Sequence, residues 1–211
     1  MDSTMTDTLK HEEALFIPSE DTEREEYVPK VAGDYHGHIT DSRSLTREFT
    51  KDGRTFKARI FNFKVHVAPE NEHNTYTMHG KDGTTREISG KHYVDWTVVA
   101  DGVFRFLEPT GDDKFESNAE GNKRYMRFCE SLGLELKTEE RTINGKTVKV
   151  QLLPNIKETD LNGTPVVAVV GRGQDWVNDS GETRPSWRVK FTKRWTDGKR
   201  LATTTTNDLP F

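Results

Sequence analysis

From Gly33 onward, apolar and polar residues alternate in short runs separated by glycine-bearing turns, the pattern of half-buried strands. This pattern predicts strands at 34–40, 56–67, 91–100, 103–107, 141–150, 164–171 and 186–195. Lys51-Asp52-Gly53 and Asp101-Gly102 supply turns. Asn144-Gly145 folds 141–150 into a hairpin, because both residues tolerate the left-handed backbone that a tight hairpin needs. The run "TPVVAVVG" at 164–171 reads as a buried strand. One helix interrupts the strands: Tyr125, Phe128, Cys129 and Leu132 fall at i, i+3, i+4 and i+7. Ser117 and Glu120 make a capping box ahead of it, and Gly133 supplies its stop. Cys129 therefore belongs to the apolar face, a packing position. Segments 68–90 and 172–185, rich in Gly, Asn, Asp and Thr, read as long loops that extend a binding face.

Short strands, one helix between the early and late ones, and glycine-rich turns imply a mainly β fold. The expected form is an OB-like, partly open Greek-key barrel with long loops; a β-sandwich is the competing arrangement. Residues 31–200 would form this domain, with 1–30 an acidic flexible arm and 201–211 a flexible tail. Composition supports chain outside a core: 32% of residues are hydrophobic and 31% charged, with a mean hydropathy of -0.84. No apolar run approaches the roughly 18–20 residues that span a bilayer, and the acidic N-terminus is not a secretory signal. A single cysteine rules out an internal disulfide and any cysteine-rich zinc site, so a cytoplasmic setting is expected, with no membrane partner.

The net charge of -4 conceals an asymmetry. Residues 1–30 hold nine acids against Lys10, Arg24 and Lys30, a net of -6; the remaining 28 basic and 26 acidic residues leave the body at +2. The arm is either a solvated tail or an intramolecular competitor for a basic groove.

Alternation also sorts residues within strands. In 56–63 the even positions Phe56, Ala58 and Ile60 are apolar and expected inside. The odd positions Lys57, Arg59, Phe61 and Phe63 combine two cations with two aromatics. In 187–195, Trp187, Val189, Phe191 and Trp195 share one face and Arg188, Lys190 and Arg194 the other, with Thr192 between. Cationic rows interleaved with aromatics suit single-stranded nucleic acid, whose phosphates need Lys or Arg and whose bases stack on rings for roughly 1–3 kcal/mol each. Arg43, Arg47 and Arg54 near the first hairpin, and Arg172 after the buried strand, would extend such a groove. Trp176, in a polar loop, is a stacking candidate, whereas Trp96 between apolar neighbours is expected to be buried. A solvated sheet face is the plainer alternative for the same cations, and Phe61 and Phe63 fit the core as well as they fit a binding face.

Signals for catalysis are thin. Asp82, Glu87 and Lys91 loosely echo a metal-dependent nuclease set, but Lys91 follows Glu87 by four residues and breaks the one-face alternation. His36 and His38 share a strand face without a third ligand at a definite spacing, so they read as ordinary strand residues. No phosphate loop, dinucleotide fingerprint or nucleophile elbow is present, so no enzyme activity, cofactor or metal is expected.

The chain ends "TTTTNDLPF". Asp208, Leu209, Pro210 and Phe211 resemble the C-terminal tip of bacterial single-stranded DNA-binding proteins, an acidic residue or run followed by Ile or Leu, Pro and a terminal Phe. The resemblance implies recruitment of replication and recombination proteins, with the Phe211 ring in a partner's apolar pocket and the α-carboxylate on a basic residue. Three further motifs are similar to phage-encoded relatives of that family: Pro29, Gly33 and Tyr35 at the start of the body, Phe128, Leu132 and Gly133 at a helix end, and Asp160, Leu161 and Gly163 before a buried strand. What the resemblance implies is a phage-encoded, OB-type protein that binds and protects single-stranded DNA. The competing readings are a β-rich structural or interaction protein of a phage particle that ignores DNA, and a nuclease or annealing factor.

Overall fold

The computed structural model describes residues 28–80, 82–111, 114–143 and 145–202. The acidic arm 1–27 and the tail from 203 onward, including the tip Asp208, Leu209, Pro210 and Phe211, lie outside the described residues.

Strands β1 (Gly33–Lys51) and β2 (Arg54–Val67) form a long hairpin closed by Asp52 and Gly53, both at positive φ. A separate ribbon, β3 (Thr75–His79) and β4 (Thr85–Ser89), follows. After β5 (Thr97–Ala100) come β6 (Val103–Gly111) and β7 (Lys114–Ser117), then the helix α1 (Lys123–Ser131). A second ribbon, β8 (Thr138–Ile143) with β9 (Lys146–Gln151), precedes the long strand β10 (Pro165–Arg172). The short ribbon β11 (Trp176–Val177) and β12 (Thr183–Arg184) leads into β13 (Trp187–Arg194).

Five strands make a ring: β1 pairs with β2, β2 with β5, β5 with β13, β13 with β10, and β10 with β1. Every pairing is antiparallel except β5–β13, which is parallel and joins only Arg188 to Val99 and Val189 to Ala100. A five-membered, partly open ring with one helix between its third and fourth strands is the expected OB-like barrel. Strands β6 and β7 extend it as a wing: β6 takes over from β5 along Lys57–Phe61 of β2, and β7 pairs with β6.

The core follows from period-two alternation. Phe61, Phe63, Val65 and Val67 of β2, Tyr35 and Ile39 of β1, and Val166, Ala168 and Val170 of β10 all point inward and are buried. Helix α1 closes the barrel. Tyr125 stacks on Phe61 at 5.8 Å and Phe128 on Phe63 at 5.3 Å between ring centroids, and Cys129 is fully buried beside them. Burial pushes the Cys129 thiol up to about 11. Trp96 packs half-buried against the core, its ring edge-on to Tyr35. Gly133 ends the helix region at φ +79°.

Bulges in the ring strands β1 and β13 reset the alternation. In β1, Asp41 and Ser42 stand opposite the single residue Phe63, with Asp41 at φ +46°. Ser42 anchors the bulge by donating its hydroxyl to the Glu158 carbonyl (2.5 Å) and to Asn162 Oδ1 (2.8 Å). In β13, Val169 faces Phe191 while Val170 faces Val189, leaving Lys190 as the extra residue.

Several expectations are corrected. The strand at 91–100 begins only at Thr97, because Gly90–Tyr93 forms a 3-10 turn and Asp95 adopts φ +64°. The capping box at Ser117 and Glu120 does not form: Ser117 belongs to β7, Asn122 occupies the cap, and the Asn118 side chain accepts from the Gly121 N–H instead. Segments 68–90 and 172–185 carry ribbons rather than bare loops. Beyond the Lys190 bulge the faces of β13 exchange. Phe191 turns outward at 52% exposure, and Thr192 turns in to meet the Ser131 hydroxyl at 2.5 Å.

Candidate nucleic-acid interface

The two faces of β2 have opposite fates. Its odd positions, the expected binding face, point toward α1 and the segment 152–158. Phe61 and Phe63 are 0% and 3% exposed and belong to the core, out of reach of a base. Arg59 lies over the Phe61 ring and donates to Glu158 Oε2 (2.5 Å), Ser44 Oγ (3.1 Å) and the Ile156 carbonyl (3.3 Å). The Glu158 carboxyl is held below the usual range by its own backbone N–H, then by the Ser44 hydroxyl and the Arg59 guanidinium. Arg59 is thus a structural clamp. Lys57 sits over the Phe115 ring on the same side.

The even positions, expected inside, lie on the outer side of the sheet; Ala58 and Ile60 are buried there at 0% and 7% exposure beneath their neighbours, while Phe56 is only half-buried. Along β2 this face reads Arg54, Phe56, Ala58, Ile60, Asn62, Lys64 and His66. The cross-strand register adds neighbours that share it: Phe49 opposite Phe56, Arg47 opposite Ala58, Leu45 opposite Ile60, and Arg43 opposite Asn62. From β6 come Phe106 opposite Ala58 and Phe104 opposite Ile60. The β1 bulge causes this, because it shifts the odd residues of that strand from the barrel interior to the outside.

The result is a carpet of four half-buried phenylalanines. Phe104 stacks on Phe106 at 5.6 Å, Phe49 approaches Phe104 at 6.2 Å, and Phe56 meets Phe106 edge-on at 6.4 Å. Leu45 is exposed among them. Arg47 and Arg54 have no acidic partner among the described residues. Arg43 and Lys64 share Asp41 at 3.1 and 2.8 Å, and its carboxyl is pulled down chiefly by the hydrogen bond from Lys64.

The same face continues across the ring. Val99 of β5 lies opposite Lys64 and also opposite Arg188 of β13. Beyond Arg188 the ribbon β11–β12 presents Trp176 at 54% exposure, with Arg172 held to Asp175 at 2.8 Å. The surface therefore runs between two hairpins, the β1–β2 tip at one end and the β11–β12 ribbon at the other. From Arg54 to His66 it measures roughly 40 Å at about 3.3 Å per residue.

The sequence-predicted residues separate into three places. Arg43, Arg47, Arg54, Arg188, Arg172 and Trp176 belong to the outer face and its flanking ribbon. Lys57, Arg59, Phe61 and Phe63 belong to the helix side of β2. Lys190 and Arg194 line a different groove, between α1 and β13. Sequence reasoning missed Phe49, Phe104, Phe106 and Lys64, and placed Phe56 inside. One signal was present: Phe104 and Phe106 flank Arg105 at strand period in "VFRFL".

The other motifs are accounted for locally. Asp82 accepts from the Thr84 hydroxyl at 2.6 Å, Glu87 lies on β4, and Lys91 sits in the 3-10 turn. No group of three or more His, Cys, Asp or Glu side chains placed to hold a metal ion occurs among the described residues. His36 and His38 pack on Trp195, and His38 Nε2 lies 2.9 Å from the Lys199 carbonyl. No described helix is long and apolar enough to cross a membrane. Set against known protein families, curated proteins and solved structures, the chain matches none.

Proposed function

We propose that the protein binds single-stranded DNA without regard to sequence on the outer face of β2 and its neighbours, and shields it during replication or recombination. The observation that carries this is the carpet of Phe49, Phe56, Phe104 and Phe106, left half-buried on the open face of an OB-like barrel and bordered by Arg43, Arg47, Arg54, Lys64 and Arg188. In barrels of this kind the second and third strands, with the loops beside them, take oligonucleotides. Unpaired bases lie against the rings, and phosphates track the cations at the edges. A duplex hides its base faces and gains only the charge term, so it binds less well. The tip Asp208-Leu209-Pro210-Phe211 recruits replication or recombination enzymes: Pro210 limits the ordering cost, and ring and carboxylate give two anchors. A cytoplasmic, phage-encoded replication protein fits this reading.

The test is fluorescence anisotropy with labelled oligo(dT) and a duplex of equal length over a salt series. The expected result is preference for the single strand, with a log–log salt slope of roughly -2 to -5, equivalent to about three to seven phosphates at -0.7 each. Indifference to single strands at low salt would leave a β-rich interaction protein of a phage particle as the reading.

A further inference from the structure

A groove of about 970 Å³ lies between α1, the Asp101-Gly102 turn and β13, away from the outer face of β2. It exists because the barrel is partly open. β5 reaches β13 only at Arg188 and Val189, so residues 190–194 pair with β10 alone and present a free strand edge. Such an edge is a template for another extended segment. Within the groove the Arg124 guanidinium donates to one edge carbonyl, that of Lys190, at 2.6 Å.

The lining is apolar in the middle and cationic around it. Phe63, Phe128 and Val189 form its floor, and the exposed Phe191 stands at its side. Lys123, Arg124, Arg127, Lys190, Lys193 and Arg194 surround them. Asp101, Glu120 and Glu130 offset half of that charge, leaving a net of +3. Arg127 and Arg194 have no acidic partner among the described residues.

We propose that this groove is the docking site of the chain's own residues 12–21, added as an extended strand along the free edge of β13. That segment reads "EEALFIPSED", an apolar centre from Ala14 to Pro18 with two acids on each side and no basic residue. Its pattern complements the groove: Leu15, Phe16 and Ile17 meet the floor and Phe191, and the four acids meet the cationic rim. The chain enters beside the site. Asp34, at the start of β1, already pairs with the rim residue Lys193 at 2.5 Å, and Gly33, Val170 and Val189 lie side by side on adjacent strands. From Gly33 the groove edge is two strands away, roughly 10 Å; the chain before it runs past Tyr93 and Trp96, and residues 18 to 28 span up to roughly 35 Å when extended. Docked there, the acids neutralise the groove and leave the outer face of β2 as the uncompensated cationic surface. The proposal stands whether or not that face binds DNA.

The test is paramagnetic relaxation in the full chain, with a nitroxide on a Ser19→Cys variant. Cys129 is fully buried with its thiol pushed up to about 11, so it stays unlabelled. The expected result is loss of amide peak intensity along α1 and residues 190–194. The intensity should be restored by Phe16→Ser, or by neutralising the acids with E12Q, E13Q, E20Q and D21N. Three outcomes would overturn the proposal: no localised loss, loss centred on the phenylalanine face, or loss that survives those substitutions. A mixture of labelled chain with isotope-enriched unlabelled chain should show no broadening; broadening there means that a second copy fills the groove, and docking in cis is wrong.

Discussion

Phe61 and Phe56 belong to one strand and meet opposite surroundings. Phe61 is sealed beneath Tyr125 of α1, while Phe56 is half-buried among Phe49, Phe104 and Phe106 with arginines at the edge. The difference lies in what covers each side. The helix and the segment 152–158 close over the odd positions of β2 and fix Arg59 through Glu158, Ser44 and Ile156. The even positions gain only neighbours within their own sheet. An aromatic side chain under a helix contributes to folding, whereas one left beside unpaired cations is available to a ligand.

The largest effect should come from the covered face. Phe61→Ala or Phe63→Ala removes a ring from the sealed core and should cost about 3–5 kcal/mol in denaturant unfolding. The conservative Phe63→Leu variant should leave oligo(dT) affinity unchanged. Next comes the open face. Phe56→Ala and Phe104→Ala should each weaken oligo(dT) binding by about 1–3 kcal/mol in anisotropy titrations, with a smaller loss of stability than Phe61→Ala because these rings are only half-buried. If these two variants unfold the protein while leaving the affinity of the folded fraction intact, the roles of the two faces are reversed.

The comparison also shows where sequence stops being informative. Alternation in 56–67 revealed two unlike faces but carried no sign of which one a helix would cover. That depends on packing between Phe61 and Tyr125 and between Phe63 and Phe128, far apart in the chain. Strands at 56–67, 164–171 and 186–195, the hairpin at 141–150, the helix face with Tyr125, Phe128 and Cys129, and the Gly133 stop were legible because each rests on local periodicity or turn chemistry, whereas the continuation of β1 to Lys51 and the 3-10 turn in 91–100 were not. The bulges at Asp41-Ser42 and Lys190 were not. Each adds one residue to a regular run, reverses every side chain beyond it, and so carried Arg43, Arg47, Phe49 and Phe191 to the outside. The phenylalanine carpet draws on β1, β2 and β6, so only the register assembles it.

Smaller effects sharpen the electrostatic side of the contrast. Arg47→Ala and Arg54→Ala, on the open face, should each make the log–log salt slope of oligo(dT) binding shallower by roughly 0.7. Lys57→Ala, on the covered side, should leave it unchanged. The smallest change is expected from Asp41→Asn. Asparagine tolerates the left-handed backbone at this position, and the substitution releases Arg43 and Lys64 from their shared carboxylate. Binding should tighten modestly and its salt slope should steepen, by at most roughly 0.7 per newly engaged phosphate.

The most direct measurement is photo-crosslinking of the full chain to an oligonucleotide carrying a halogenated pyrimidine, with the attached peptides mapped by mass spectrometry. Adducts on Phe49, Phe56, Phe104, Phe106 or Trp176 are the predicted result. Adducts confined to Phe191 and α1 would contradict the account by placing the nucleic acid in the groove, and an absence of adducts under conditions where the oligonucleotide is bound would remove the open face of β2 from the interface.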